Sequence, residues 1–132
     1  MAIQSQAART SGLTIANANF GIYPPATVRA ALLEYSMVQA TGTAQSQGLG
    51  RPATVGTPSG PVLFQQDDPG DPASVVNGHI TWSAQPTAPT IFHRRWNSAA
   101  TIGVGVVWTF PRGLVVAASG ALVGWNITAA VA

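Results

Sequence analysis

The pattern that most restricts the fold of this chain is an alternation of apolar residues with small or polar ones, with a period of two. It is clearest over residues 99–110. One face of that run carries five large apolar residues, Ile102, Val104, Val106, Trp108 and Phe110. Successive side chains of a β-strand point to opposite faces of a sheet, whereas an α-helix repeats every 3.6 residues. The run therefore predicts a strand with one buried face.

Similar short runs recur along the chain, and clusters of turn-forming residues separate them. The strand-like runs are Leu13 with Ile15, Val62 to Gln66, Ile80 with Trp82, Thr90 to Trp96, Leu114 to Ala118, and Val123 to Ile127. The turn clusters are Thr57 to Gly60, Asp67 to Pro72, Pro86 to Pro89, and Pro111 to Gly113. Many short strands punctuated by Gly and Pro are typical of antiparallel sandwiches and barrels. We predict an all-β fold, a jelly-roll-like antiparallel β-sandwich of about eight strands.

Two segments are harder to interpret. The apolar residues of Val28 to Gln39 fit a helical stripe and a strand equally well, and we favour the strand because the rest of the chain reads as β. Ala40 to Gly60 is rich in Thr, Gly, Gln, Ser and Pro, and a loop of that length is unusual in a compact domain. It is expected either to hold one more short strand or to reach out and grip a neighbouring subunit.

The chain reads as one domain, residues 13–132, preceded by an N-terminal arm, residues 1–12. The first residues lack the basic and apolar regions of a secretory signal, so synthesis in a cytoplasm is expected. Leu114 to Ala132 is uncharged over nearly the length of a membrane span. Its period of two and its turn residues favour strands over a transmembrane helix.

Charge is scarce. Only 8% of the 132 residues are charged, and cysteine and lysine are absent. An isolated soluble domain normally carries about a quarter of its residues as charges of both signs. We therefore expect either that uncharged polar groups cover the surface or that neighbouring subunits cover much of it. Both alternatives favour a structural or binding protein over an enzyme. The six arginines are dispersed, and only Arg94 and Arg95 adjoin, so nucleic-acid binding is not expected.

Residues able to do chemistry are few. The four acids are Glu34, Asp67, Asp68 and Asp71, and the two histidines are His79 and His93. The three aspartates could offer carboxylates to a hard cation, but their spacing matches no EF-hand loop and an ordinary turn is the simpler interpretation. Neither a zinc-ligand spacing nor a Gly-x-Ser-x-Gly elbow is present. We predict no catalytic residues, no metal, no cofactor and no enzyme activity.

The aromatic residues leave an alternative open. The chain has four tryptophans, all in strand-like runs, and two tyrosines: Trp82, Trp96, Trp108, Trp125, Tyr23 and Tyr35. Exposed aromatic rings can stack on sugars, but large rings more often anchor a small core or a subunit interface. Glycan binding is therefore the alternative to a purely structural role.

Three stretches of sequence resemble small proteins encoded in tailed-phage and prophage genomes. These are Gly48 to Ala53, Asp68 to Ala73 and, most of all, Ala100 to Gly113, and the closing Ala121 to Asn126 is similar to the final strand of those proteins. The likeness runs from about residue 30 to residue 128, and its motifs are turns and strands. The resemblance implies a virion component made in a host cytoplasm.

Composition and resemblance together predict a capsid decoration or cement protein that acts as a homo-oligomer, with a trimer favoured. Its expected partners are copies of itself and other virion proteins such as the major capsid protein, without nucleic acid or membrane. The alternative is a tail-associated or fibre module that binds host surface glycan. The residues expected at contacts are Arg51, Arg94, Arg95 and Trp96, together with the N-terminal arm and the Ala40 to Gly60 segment.

Overall fold

A computed structural model describes residues 2–10 and 16–128 of the chain. Within these ranges it contains ten strands and no helix. The strands are β1 (Gln4–Ser5), β2 (Asn17–Tyr23), β3 (Ala30–Val38), β4 (Ser46–Gly50), β5 (Thr57–Leu63), β6 (Gln65–Gln66), β7 (Asn77–Ala84), β8 (Phe92–Asn97), β9 (Gly105–Val116) and β10 (Leu122–Thr128). The predicted all-β fold is confirmed, and it is sandwich-like. The jelly-roll connectivity stays a prediction.

Six strands form the main sheet, in the order β5-β7-β2-β10-β4-β8, and all neighbours are antiparallel. Strands β2, β10 and β4 lie in its centre, which explains why all five residues of β4 are buried. Two smaller sheets complete the described fold: β3 with β9, and β1 with β6. We call the β3–β9 pair the ribbon.

The ribbon packs on one face of the main sheet and forms the principal core with it. Six buried side chains make up that core: Ile22, Leu49, Trp108, Phe110, Val116 and Leu122. They come from β2, β4, β9 and β10, so the apolar sides of two layers meet here, as in a β-sandwich. Burial of apolar surface between the layers is the main force that holds the ribbon in place.

A second cluster covers the opposite face of the main sheet. Ala18, Ala121, Val123 and Trp125 are buried there, and aromatic rings from β2, β7 and β8 pack against them. A glycine makes room for one such ring: a Cβ on Gly48 would collide with Phe92. On the same face, Trp82 Nε1 donates a hydrogen bond of 2.8 Å to the Tyr23 hydroxyl. Aromatic side chains therefore cover this face of the main sheet, as the ribbon covers the other face.

The Val28 to Gln39 segment is a strand, β3, as predicted. The Ala40 to Gly60 segment is not one long loop, because β4 lies within it and β5 begins before its end. Its middle part, Ser46–Gly50, is buried in the main sheet and cannot grip a neighbouring subunit. Of the two roles expected for this segment, the additional strand is confirmed.

Several local predictions were wrong. Thr57 to Gly60 opens strand β5 instead of forming a turn. Pro111 to Gly113 lies inside β9, where the register against β3 jumps from Thr109 opposite Glu34 to Leu114 opposite Leu32. The cluster therefore forms a bulge within one long strand, and Gly113 supplies a positive φ of 75° there.

The alternation in 99–110 also starts later than predicted. Val106, Trp108 and Phe110 pack in the core, whereas Ile102 lies in a turn and is 69% exposed. The predicted strand residues Leu13 and Ile15 lie outside the described residues.

The uncharged stretch after Leu114 is divided between the end of β9 and strand β10 up to Thr128. Nowhere in residues 2–10 and 16–128 does a helix reach the length and apolar character needed to cross a membrane.

Candidate functional site

The first candidate surface is a cationic edge of the main sheet, formed by Arg51, His93, Arg94 and Arg95. We call it the arginine edge. Strand β8 is the last strand of that sheet, and Arg51 directly follows its neighbour β4. All three arginines are exposed. The antiparallel pairing of β4 with β8 thus brings together two arginine regions that are far apart in sequence.

Hydrogen bonds hold the guanidinium groups in defined positions. Arg51 donates from Nη1 to Nε2 of His93 at 2.7 Å and from Nη2 to the carbonyl of Val115 at 2.8 Å. Arg94 donates to the carbonyl of His93 at 2.8 Å, and its guanidinium carbon lies 4.9 Å from the centre of the Phe110 ring. Ordered guanidinium groups present several N–H donors in a fixed plane, which suits carboxylates.

Arg95 points to the other face of the sheet, as expected for the next residue in a strand. Its guanidinium carbon lies 5.9 Å from the centre of the Phe92 ring. Phe92 covers Gly48 on the face of the main sheet that is opposite the ribbon. The edge therefore offers positive charge on both sides of β8. Charged residues on an edge strand also discourage unwanted strand pairing, so part of this charge serves the fold itself.

Trp96 was predicted, together with the arginines, to lie at a contact with another subunit. The structure places it half-buried, with its ring against the principal core. It lies on the same face of β8 as Arg94, two residues away, but its ring packs against the core whereas both arginines are exposed.

His93 has a lowered pKa because its ring is partly desolvated and two cations, Arg51 and Arg94, lie nearby. Its Nε2 accepts the hydrogen bond from Arg51, which requires the neutral ring. In the unfolded chain the pKa returns to about 6.5, so between the two values the unfolded state binds a proton that the native state does not.

We therefore expect the free energy of unfolding to fall as pH falls below about 6.5. His93→Gln should keep more of its stability at pH ~5.5 than the parent chain does, relative to pH ~7.5. Urea unfolding of both proteins at the two pH values measures this difference. An identical pH dependence for the two would contradict the assignment to His93.

The second candidate surface is the outer face of the ribbon. Large apolar side chains project from it into solvent: Leu33 is 39% exposed, Val115 47%, Val107 59% and Val38 74%. Ser36 and Thr109 are exposed uncharged polar residues of the ribbon, and its two charged residues are Glu34 in β3 and Arg112 in β9. An apolar sheet face of this kind marks a protein–protein contact more often than a free surface.

The third feature is a groove of about 1730 Å³ between the described part of the N-terminal arm, residues 2–10, and strand β3. Phe20, Ile22, Phe64 and Val76 contribute apolar surface to its lining. Nearly the whole of β3 borders it on one side. The groove exists because the layer opposite the main sheet consists of two separate pairs of strands, β1–β6 and β3–β9.

A buried network of carboxamides lies beside the groove. Asn19 donates to Oε1 of Gln47, and Nε2 of Gln47 donates at 3.0 Å both to Asn126 Oδ1 and to Gln45 Oε1. Asn19, Gln47 and Asn126 are each 5% exposed or less. A Cβ on Gly124 would collide with Asn19 and would lie 2.6 Å from the Tyr35 hydroxyl, whose burial raises its pKa. The network links the three central strands of the sheet.

Sequence reasoning missed this network. Its members are ordinary polar residues in strands, and only the pairing of β2, β10 and β4 brings them within hydrogen-bond distance. The one available signal was the presence of Asn and Gln at strand positions where alternation calls for inward-facing side chains.

The aromatic rings lie mainly in the two clusters. Trp108 and Trp125 are buried, and Trp82, Trp96, Tyr23 and Tyr35 are half-buried. The Tyr23 hydroxyl is engaged with both Trp82 and the carbonyl of Val55. These rings act as core and cover for the main sheet.

The remaining titratable residues are separated. His79 is buried, with Nδ1 3.1 Å from the carbonyl oxygen of Ser59 and its ring edge-on to Tyr23. Asp67 accepts a hydrogen bond from Ser5 at 2.6 Å, and Asp68 accepts one from the backbone of Gly70 at 2.8 Å, which is turn geometry. Among the described residues, no three His, Cys, Asp or Glu side chains come together as a metal site would require.

Comparison with known proteins adds no relative. No protein-family model, no curated protein and no solved structure matches this chain.

Proposed function

We propose that this protein is a structural component of a bacteriophage particle, a capsid decoration protein that binds the shell as a homo-oligomer. The observation that carries the proposal is the apolar outer face of the ribbon in a chain of which only 8% is charged. Exposed Leu33, Val38, Val107 and Val115 would remain in contact with water on a monomer. Covering them with neighbouring protein removes that unfavourable surface.

A decoration protein stabilises a shell through contact area repeated by symmetry. A specific interface buries about 800 Å² on each partner, and multivalent attachment of an oligomer raises the overall affinity far above that of one contact. The ribbon supplies apolar area and the arginine edge supplies directional charge. Charged groups at the rim of an interface set orientation and partner choice more than raw affinity.

The glycan-binding alternative needs two or more exposed Trp or Tyr rings in a groove. None of the Trp or Tyr side chains in the described residues is among the exposed ones, so no specific observation favours that function. We therefore propose shell decoration and not glycan binding.

The proposal is tested by incubating the purified chain with emptied capsid shells of candidate phages and sedimenting the mixture. Binding that saturates at a fixed ratio of chain to shell protein, with a rise in the temperature at which the shells disassemble, supports decoration. A chain that stays in the supernatant with every shell, or binds without saturating, overturns it.

Within this proposal, the arginine edge is expected to contribute to shell binding. The double variant Arg94→Ala with Arg95→Ala should associate with shells several-fold more slowly at low salt and depend less on salt, because charges at the rim of an interface act mainly on the association rate and its salt dependence. The control is Asp68→Ala with Asp71→Ala, which removes two charges from the turn after β6, outside the ribbon, the groove and the arginine edge. Equal association rates and salt dependence for the two double variants would show that the arginine edge has no specific role.

A further inference from the structure

The groove between the arm and β3 has the features of a site for an additional strand. Within the described residues, β3 pairs with β9 alone, so its other edge borders the groove unpaired. The amide of Gln39 donates to Val104 on the β9 side at 2.8 Å. Because backbone groups of an antiparallel pair alternate in direction, the N–H and C=O groups of Ser36 and Val38 point to the unpaired edge.

Buried polar atoms of residues beside the groove also have no hydrogen-bond partner. Asn19 Oδ1 and Gln39 Oε1 are buried without a hydrogen bond, and both residues line the groove. In the arm itself, Gln6 Nε2 is buried without a hydrogen bond as well. Asn19 is 5% exposed and Gln39 7%. Buried polar groups are nearly always hydrogen-bonded in native proteins, so orphaned atoms beside an open groove indicate a ligand with its own donors and acceptors. An extended peptide backbone and its carboxamide side chains supply both.

The N-terminal arm itself has the right length and chemistry. Its described part, Ala2–Thr10, has nine residues, as many as β3, and its first seven are uncharged. In an extended strand Gln4 and Gln6 share one face, which could direct carboxamides to the orphaned atoms. The arm is held in its own subunit by a ladder of only two residue pairs, Gln4 with Gln66 and Ser5 with Gln65, and by a few flanking hydrogen bonds. Release of the arm from that short ladder breaks few hydrogen bonds, and pairing of the arm along β3 would form a longer ladder.

We propose that the unpaired edge of β3 accepts the N-terminal arm of a second copy of this chain as an added strand, and that this exchange links the subunits. The inference rests on the homo-oligomer in the proposed function and assigns its contact. An exchange of identical segments is a common route to closed oligomers.

A pair of proline variants isolates the two edges of the ribbon. Ser36 and Val107 face each other in the ladder, and their amides point away from it in opposite directions, towards the groove and towards the free edge of β9. Proline at either position removes an outward N–H group and leaves the β3–β9 hydrogen bonds intact, as edge strands permit. Light scattering of the purified chains without shells should give an oligomer for the parent and for Val107→Pro, and a monomer for Ser36→Pro.

Hydrogen exchange of the parent chain gives a second readout that needs no variant. The amides of Ser36 and Val38 should exchange at least about tenfold more slowly in concentrated solution than after dilution to monomer, whereas the amide of Val107 should not change. Excess peptide of sequence AIQSQAART should dissociate the oligomer, and a scrambled peptide should not. Exchange at Ser36 and Val38 that ignores concentration overturns the inference even if the proline variant does not fold.

The outcomes separate this inference from the proposed function. An oligomer that persists in folded Ser36→Pro overturns the strand exchange and leaves shell decoration standing. An oligomer that dissociates in Ser36→Pro but never binds shells supports the exchange and overturns decoration. A parent chain that is monomeric at every concentration overturns the exchange and the homo-oligomer together.

Discussion

Replacing Leu122 with alanine is expected to lower the free energy of unfolding by about 2–5 kcal/mol. Leu122 is fully buried, with 0% of its surface exposed, and it belongs to the principal core where β10 meets the ribbon. The smaller side chain loses apolar burial and leaves a cavity that a close-packed interior fills poorly. Small domains unfold with about 5–15 kcal/mol in total, so the loss is a large fraction of the stability.

Urea unfolding followed by tryptophan fluorescence measures the effect. The matched control is Leu63→Ala, since Leu63 is 62% exposed in β5 and its replacement should change stability by less than about 0.5 kcal/mol. Similar losses for the two variants would contradict the placement of the core between the main sheet and the ribbon.

The second large effect is expected at Gln47. Its side chain accepts from Asn19 and donates to Gln45 and Asn126, and only 2% of it is exposed. Gln47→Ala removes partners from several buried groups at once, and each unsatisfied group costs about 1–3 kcal/mol. We expect a loss of about 3 kcal/mol or more in the free energy of unfolding, measured by the same urea titration.

Two further variants separate hydrogen bonding from packing. Gln47→Met keeps a similar volume but leaves Asn19 and Asn126 without their partner, so it should be nearly as destabilised as Gln47→Ala. Gln65→Ala, on an exposed residue of β6, should be close to neutral. If Gln47→Met were as stable as the parent chain, the contribution would come from packing and the network would have no energetic role.

The network and the groove also connect stability with assembly. Asn19 belongs to both, because its amide nitrogen bonds to Gln47, its buried carbonyl oxygen has no partner, and the residue borders the groove. An added strand that satisfied this oxygen would also stabilise the centre of the main sheet. In the proposed exchange, oligomer formation would therefore raise the resistance of each subunit to unfolding.

Some features of the candidate site could be predicted from the sequence, and others depend on which strands pair. Arg94 and Arg95 could be picked out from sequence as the one pair of adjacent arginines, and their opposite directions followed from strand geometry. That Arg51 joins them through His93 depends on the pairing of β4 with β8, which alternation does not encode. Trp96 was predicted at a subunit contact with the arginines, and only the structure shows that its ring packs against the principal core.

What the sequence by itself determined is the secondary structure class and the outline of most strands. The period of two acts residue by residue through the pleat of a strand, so Val106, Trp108 and Phe110 could be recognised as one buried face without knowing their partners. The scarcity of charge likewise predicts a surface that other subunits cover, and that stays a prediction.

Only the tertiary structure decided which strands pair, and pairing controls the rest. Pro58 and Gly60 lie within β5, and Pro111 and Gly113 lie in a bulge of β9, because hydrogen bonds and packing from neighbouring strands outweigh local turn preference. Ser46–Gly50 has a loop-like composition but lies in the main sheet, where both neighbours satisfy its backbone. Strand pairing is a contact between residues distant in sequence, and its free energy depends on the partner as much as on the strand itself.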